Sequence, residues 1–290
     1  MTTPNFYVIG APKCGTETVA SWLQMHPDVF VPNRALPNFH AHDFADSIAD
    51  AGYYASLYLG VQSIAIGEVS PWYLTSQVAV SNILSTNPDA RFIVCLRNPI
   101  DMAWVLHSAA VADAREHVLD FSVAWAMSHI RRQGRGARYG VDPKTIDYSG
   151  LSSVGDQLLR LSGQVESNKI HVVFLDDVLS SPANTWADLQ SFLEIDHHDI
   201  PNYTIEDFLV ERPLPGFHAL VRRLADTKGA ILPQRFLRWG LADRINGWNR
   251  RTGTLIEMPD LMRQRVADYL SDDIGMLSAI TDRDLSHWVC

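Results

Sequence analysis

Apolar residues in this chain fall into short unbroken runs. Phe6–Gly10 (FYVIG), Phe92–Leu96 (FIVCL) and Ile170–Leu175 (IHVVFL) are bounded by polar or turn-forming residues, and Ser63–Gly67 (SIAIG) is a weaker fourth. Runs of this length without alternation predict strands covered on both faces, as in a parallel sheet. Helical spacing fills the intervals. Thr16–Met25 sets Val19, Ala20, Trp22 and Leu23 on one face. Pro99–Ala112 and Pro182–Leu193 each open with proline, favoured in a first helical turn. Strands alternating with helices predict an α/β fold, a three-layer sandwich with a central parallel sheet and helices on both faces. One domain is expected over residues 1–290, with a helical elaboration at about 113–164 and a basic helical C-terminal region from about 213. A last helix is expected from about Pro259 to Leu277.

Charge changes the picture in two places. The chain has 290 residues and a formal charge of -9. Yet Arg222–Arg251 holds eight Arg or Lys against two Asp, and Arg131–Lys144 holds five against one. An acidic body with two basic stretches argues against a general nucleic-acid binder and for a locally held anion. Apolar residues at 47% and charged residues at 20% exclude a disordered chain. No apolar run approaches the roughly 20 residues of a spanning helix, and Met1–Asn5 does not read as a signal peptide. Cys14, Cys95 and Cys290 make no disulfide framework, so a cytoplasmic location is expected.

The candidate chemistry starts after the first run. In Gly10-Ala-Pro-Lys-Cys-Gly-Thr-Glu-Thr18, Gly10 and Gly15 frame four residues between a strand and a helix. That spacing is P-loop-like: backbone N–H groups and a helix N-terminus converge on an anion. A nucleotide-kinase loop would continue Gly-Lys-Ser/Thr, whereas here Thr16 follows Gly15 and the lysine, Lys13, lies inside the loop. Cys14 reads either as a reactive thiol at a helix start or as a small residue tolerated in the loop. A second candidate is Arg97, which Arg91–Asp101 delivers to the C-terminal end of a strand, where ligands bind in parallel sheets. There it is able to grip a phosphate with a bidentate fork, or to pair with a carboxylate.

With both loops in hand, the chain resembles the PAPS-dependent sulfotransferases, in particular a bacterial branch akin to heparan sulfate sulfotransferases (PAPS is 3′-phosphoadenosine 5′-phosphosulfate). Gly10–Thr16 is similar to that family's 5′-phosphosulfate loop, Leu96–Asp101 to its 3′-phosphate motif, and Gly67-Glu-Val-Ser-Pro-Trp-Tyr-Leu74 to a segment near the acceptor. Weaker similarity runs through Tyr148–Gln157, Val172–Asp177 and Asp284–Trp288. The resemblance implies a cofactor site made of Lys13, Cys14, Gly15, Thr16, Glu17 and Thr18, with Arg97, Arg250 and Arg251 on the 3′-phosphate. It also implies sulfuryl transfer from PAPS, without a metal, to a hydroxyl or amine of a small-molecule or carbohydrate acceptor.

Four positions depart from the family pattern. Val105 stands where a Ser is usual, with Ser108 near it. Glu17 replaces a Thr, Val69 replaces a Lys, and Leu36 occupies the place of the acceptor base. Leucine takes no proton, so the base is sought among Glu68, His40, His42 and His107. Glu68 ranks first because it ends a strand at the ligand edge, and His40 second because it follows the lost base by four residues. Glu68 also reads as a buried structural carboxylate, His42 with Asp43 as a surface pair, and His107 as a packed histidine. Asp176 and Asp177 imitate the acidic end of a nucleotide-kinase strand but read better as a helix start. Two rival functions stay open: a non-catalytic PAP- or PAPS-binding protein, and an atypical P-loop kinase.

Overall fold

A computed structural model of the chain describes residues 3–32, 38–45, 47, 50–199, 210–211, 251–252 and 257–289. Leu36 and Arg250 lie outside the described residues. The contacts group the chain into two compact units. The first is Met1–Met102, Leu151–Glu206 and Gln264–Cys290, and the second is Ala103–Gly150 and Asp207–Arg263.

The first unit is built on five strands: β1 (Phe6–Gly10), β2 (Val29–Phe30), β3 (Ala65–Val69), β4 (Arg91–Leu96) and β5 (Ile170–Phe174). They lie in the order β2-β3-β1-β4-β5, and every pairing is parallel. Every residue of β1 and β3 is buried, as are Phe92–Leu96 of β4. That burial is why β1 and β4 read as continuous apolar runs, each Val, Ile, Leu or Phe contributing roughly 1.5–3 kcal/mol. The α/β sandwich thus stands as the pattern predicted.

Two strands correct the sequence reading. The weak run at Ser63–Gly67 is displaced by two residues, because the strand is Ala65–Val69 and takes in Glu68. A buried carboxylate there breaks the apolar pattern. Leu175, placed in a strand, begins a helix instead.

Helix α1 (Thr16–Gln24) follows β1, α2 (Ala51–Ser56) and α3 (Ala79–Thr86) flank β3, and α4 (Pro99–Ala112) follows β4. From β1 the chain passes beyond β3 to β2 at the edge, returns to β3, and then crosses β1 to reach β4. Right-handed crossovers in opposite directions place α1 and α3 on opposite faces. The reversal makes the C-terminal end of β1 the topological switch point, where a ligand crevice opens in such sheets. Beyond β5 come α9 (Leu175–Ser180), α10 (Pro182–Leu193) and a last helix, α11 (Asp260–Thr281), four residues longer than expected at its C-terminal end. Asp273 of α11 accepts from the N–H groups of Gly155 and Asp156 at 2.8 Å each, capping α8 (Val154–Ser162).

The second unit carries short helices α5 (Phe121–Ala126) and α6 (Ser128–Arg132), as the sequence suggested for the stretch before Gly134. A further short helix, α7 (Tyr148–Ser152), begins there. Its centre is an ion pair, Arg131 Nη2 to Glu116 Oε2 at 2.7 Å, with both side chains fully buried. Tyr148 donates to the same Glu116 oxygen at 2.9 Å, and Arg131 Nη1 donates to the Ile146 carbonyl at 2.9 Å. Arg251–Thr252, in the basic region expected to be helical from about 213, pairs antiparallel with Val210–Glu211, just before that region. The chain at Arg251 is therefore extended.

Candidate active site

The loop after β1 is shaped by two glycines. Gly10 has φ +146°, and a Cβ there would stand 2.7 Å from the Pro71 carbonyl and 2.9 Å from Leu74 Cβ. The turn after β3 thus lies directly against the floor of the loop. Two bonds hold it there: Ser70 N–H to the Val8 carbonyl at 2.9 Å and Leu74 N–H to the Ile9 carbonyl at 2.7 Å. Gly15, with φ +87°, is the N-cap of α1, and among the described residues no side chain caps the helix. The first N–H groups of an α-helix have no intrahelical partner, so an uncapped end next to a tight loop is an anion-binding geometry.

Of the predicted cofactor residues, Lys13–Thr18 and Arg97 lie around this end. Lys13 is half-buried in a left-handed conformation, φ +65°. Arg97, at the end of β4, donates from Nη1 to the Lys13 carbonyl at 3.3 Å. Ala11 N–H donates to the Cys95 carbonyl at 2.6 Å, a second tie from loop to strand. Thr16 and Thr18 are buried, whereas Glu17 is exposed, so its charge has solvent around it. Asn98 caps α4 by accepting from Ile100 N–H at 2.9 Å, which fixes the backbone just after Arg97. Val105 is fully buried on α4 and Ser108 half-buried. Nothing is described of the Arg251 side chain.

Cys14 is not a reactive thiol. It is 1% exposed, its sulfur lies 3.6 Å from Met102 Sδ, and burial pushes the thiol up to about 12. A low-pKa cysteine needs exposure and positive potential. Here Arg97 lowers the value, but burial outweighs it.

The two leading base candidates turn out to belong to one cluster. Glu68 is 1% exposed. Its Oε2 accepts from the Tyr54 hydroxyl at 2.5 Å, and its Oε1 accepts from Ser70 Oγ at 3.0 Å and from the Tyr73 hydroxyl. Each of these hydroxyls also touches the segment Asn38–His40. Ser70 Oγ accepts from Asn38 N–H at 3.3 Å, the Tyr73 hydroxyl accepts from His40 N–H at 3.0 Å, and Tyr54 lies 3.3 Å from His40 Nε2. Since the Tyr54 proton goes to Glu68, His40 Nε2 is the donor to Tyr54. Burial pulls the His40 ring down to about 4, leaving it neutral. Burial also raises Glu68, against the three hydroxyl donors that pull it down.

Among the described residues, Asn38 Oδ1 is buried without a hydrogen-bond partner, which costs about 1–3 kcal/mol. Sequence reasoning passed over Asn38 and Tyr54 as chemistry, and read Tyr73, with Trp72, either as lining for the acceptor or the adenine or as core. Their only signal was proximity to the predicted loops.

The remaining candidates have structural partners. His42 is exposed, while Asp43 accepts from Ser76 Oγ at 2.5 Å and from Gln77 N–H at 3.1 Å. His107 is buried with Nε2 2.9 Å from the Val118 carbonyl. Asp177 is gripped through both oxygens by Arg283, and Asp176 accepts from Trp288 Nε1 at 3.2 Å. These aspartates are thus committed to side chains at the end of the chain. Among the described residues, His26, Asp28 and His198 bring ligand atoms within 4.8 Å of one another. His26 Nδ1 already accepts from Asp28 N–H at 3.1 Å, and Nε2 lies 2.9 Å from the Asp196 carbonyl, so both ring nitrogens are engaged.

No protein-family model matches the chain. It superposes on the crystal structure of a sulfotransferase from Alicyclobacillus acidocaldarius with a TM-score of 0.74 at 23% identity, covering 99% of each chain. The chain has the sulfotransferase fold. A mouse sulfotransferase solved in complex with PAP shares that fold more loosely, with a TM-score of 0.53 at 12% identity over 98% of this chain and 90% of that one. In sequence, the chain is 32% identical over 105 residues to heparan sulfate glucosamine 3-O-sulfotransferase 6 of Mus musculus, which is 34% of this chain and 28% of that protein. It spans about a quarter of the length of the curated relatives it matches. The resemblance read from the loop motifs, to sulfotransferases and to the heparan sulfate branch among them, is borne out. Among the described residues of this sulfotransferase fold, no helix is long and apolar enough to cross a membrane.

Proposed function

We propose that the protein transfers a sulfuryl group from PAPS to a hydroxyl or amine acceptor. The observation that carries this reading is the uncapped N-terminus of α1 behind a loop whose Lys13 is tied to Arg97. Two cations from two strand ends, beside free helix N–H groups, suit a ligand with two separate phosphate groups. The PAP complex of the mouse protein with the same fold supports that choice.

In the proposed reaction, the bond between sulfur and the 5′-phosphate oxygen breaks as the acceptor oxygen or nitrogen bonds to sulfur, in line with the leaving group. Lys13 and the N–H groups of Gly15, Thr16 and Thr18 carry the charge that develops on the leaving phosphate, while Arg97 holds the 3′-phosphate. Arg250 and Arg251 join Arg97 on the strength of the family resemblance. Lys and Arg supply the positive charge, so the route calls on no metal. The acceptor proton passes to a base or to solvent. A small molecule or a carbohydrate serves as acceptor, and the buried free thiols of Cys14 and Cys95 fit a cytoplasmic setting.

Calorimetry with PAP and with AMP tests the cofactor reading. A 3′-phosphate held by arginine strengthens binding by about tenfold or more, and equal affinities would remove the two-phosphate site. Tight PAP binding with no sulfated product from PAPS across a panel of carbohydrates and phenols would favour the non-catalytic alternative. The kinase alternative has less support, because Asp176 and Asp177 already have partners.

A further inference from the structure

We infer that Glu68 is a positioning residue: through three hydroxyl bridges it fastens the segment Asn38–His40 to the turn that floors the phosphate loop. The inference rests on the sulfotransferase reading only for its consequence, that the fastened segment presents the second substrate's side of the site.

The bridges share one logic. Ser70, Tyr73 and Tyr54 each have a single hydroxyl proton, and each gives it to the Glu68 carboxylate. Each hydroxyl oxygen is then free to accept, and it accepts from Asn38 N–H, His40 N–H and His40 Nε2 respectively. A carboxylate that accepts all three protons sets all three hydroxyls in the accepting sense. A neutral, apolar residue at position 68 would leave the hydroxyls without that direction, in a place where water has no access.

The same residues reach the phosphate loop. Ser70 and Tyr73 belong to the turn Ser70–Leu74, whose Pro71 carbonyl and Leu74 side chain fill the space beside Gly10. Glu68 itself pairs with Tyr7 across β1 and β3. The carboxylate therefore sits where one short turn serves both the loop and the Asn38–His40 segment. Packing reinforces the bridges: the Phe39 and Tyr54 rings stack at 4.0 Å, and His40 meets Tyr7 edge-on at 5.8 Å. Glu68 has little room for a substrate hydroxyl, with its oxygens occupied and 1% of the residue exposed. Its influence on transfer runs through the segment it holds.

Hydrogen exchange read by mass spectrometry, together with PAP calorimetry, tests this without knowledge of the natural acceptor. In Glu68→Ala, exchange of the amides in residues 38–45 should accelerate by about tenfold or more, while residues 13–18 and PAP affinity keep their wild-type values. Glu68→Gln retains an oxygen that accepts from Ser70 and Tyr73, and should restore most of the protection. Tyr73→Phe, a milder change that removes the bridge to His40 N–H, should loosen residues 38–45 alone, and it decides the matter if Glu68→Ala does not fold. Unchanged exchange of residues 38–45 in Tyr73→Phe and in folded Glu68→Ala would overturn the inference. Loosening spread evenly over the β-sheet would overturn it too, since Glu68 would then be a general stability residue. Failure of the wild-type protein to bind PAP would instead strike the proposed function and leave the exchange result standing.

Discussion

The Arg97 guanidinium donates to the Lys13 carbonyl at 3.3 Å, so the residue that follows β4 supports the backbone of the loop lysine proposed to stabilise the leaving group. Lys13 itself is half-buried in a loop outside the apolar core. Lys13→Ala should therefore lower PAPS turnover by about 100-fold or more, while stability stays within about 0.5 kcal/mol of wild type. Steady-state rates and urea unfolding of the same preparation check both halves. Near-normal turnover would remove Lys13 from the chemistry.

Cys14 gives a sharp negative expectation. With its thiol pushed up to about 12 by burial, native protein at pH 8 should leave Cys14 unlabelled by iodoacetamide, and labelling should appear only in denaturant. Peptide mass spectrometry reads the modified position. Rapid labelling of Cys14 in folded protein would mean that the loop opens far more than the close contact with Met102 implies.

His40 should make stability depend on acidity. Unfolded, the ring takes up a proton below about 6.5, and folded it does so only near 4. Between those values the unfolded state binds more protons, so stability falls as pH falls through the window and that part is gone below it. Glu68, raised by burial, works in the opposite sense: its contribution is present below its ordinary range and is lost as pH rises through its folded value. It is present in both wild type and His40→Gln, so the difference between the two reports the histidine together with its coupling to Glu68 through Tyr54. That difference should shrink by about 3 kcal/mol between pH 7 and pH 4. Urea unfolding at the two pH values measures it, and a constant difference would indicate a solvated ring.

In the second unit, removing one partner of a fully buried ion pair leaves the other charge without compensation. Glu116→Ala should cost about 3–5 kcal/mol, whereas Tyr148→Phe, which removes one hydrogen bond to the same carboxylate, should cost about 1–2 kcal/mol. Equilibrium denaturation compares them. A loss below about 1 kcal/mol for Glu116→Ala would show that water reaches Arg131.

The sheet was legible where burial on both faces makes a strand uniformly apolar, as in β1 and β4. It was not legible at β2, whose two residues are too short for any pattern, or at β3, where Glu68 interrupts the run. The shape of the candidate phosphate loop was legible because its glycines and lysine lie close together in sequence. The surroundings of Glu68 were not, since its partners come from α2, from the turn after β3 and from the loop at residues 38–40, and tyrosines in apolar company look like ordinary core. The same dispersal hid the assignment of Asp176 and Asp177, whose partners Arg283 and Trp288 lie more than a hundred residues later.

Gly10 surrenders its side-chain space to Pro71 and Leu74, which makes the stretch around Gly10 and the turn after β3 two halves of one joint. For protein engineering, this limits where chains of this fold are safely recombined. A chimera that takes its phosphate loop from one parent and its 70–74 turn from another pairs halves shaped for different neighbours, however similar each looks alone. Grafting a foreign acceptor segment should succeed only when residues 6–15 and 67–74 come from the same parent.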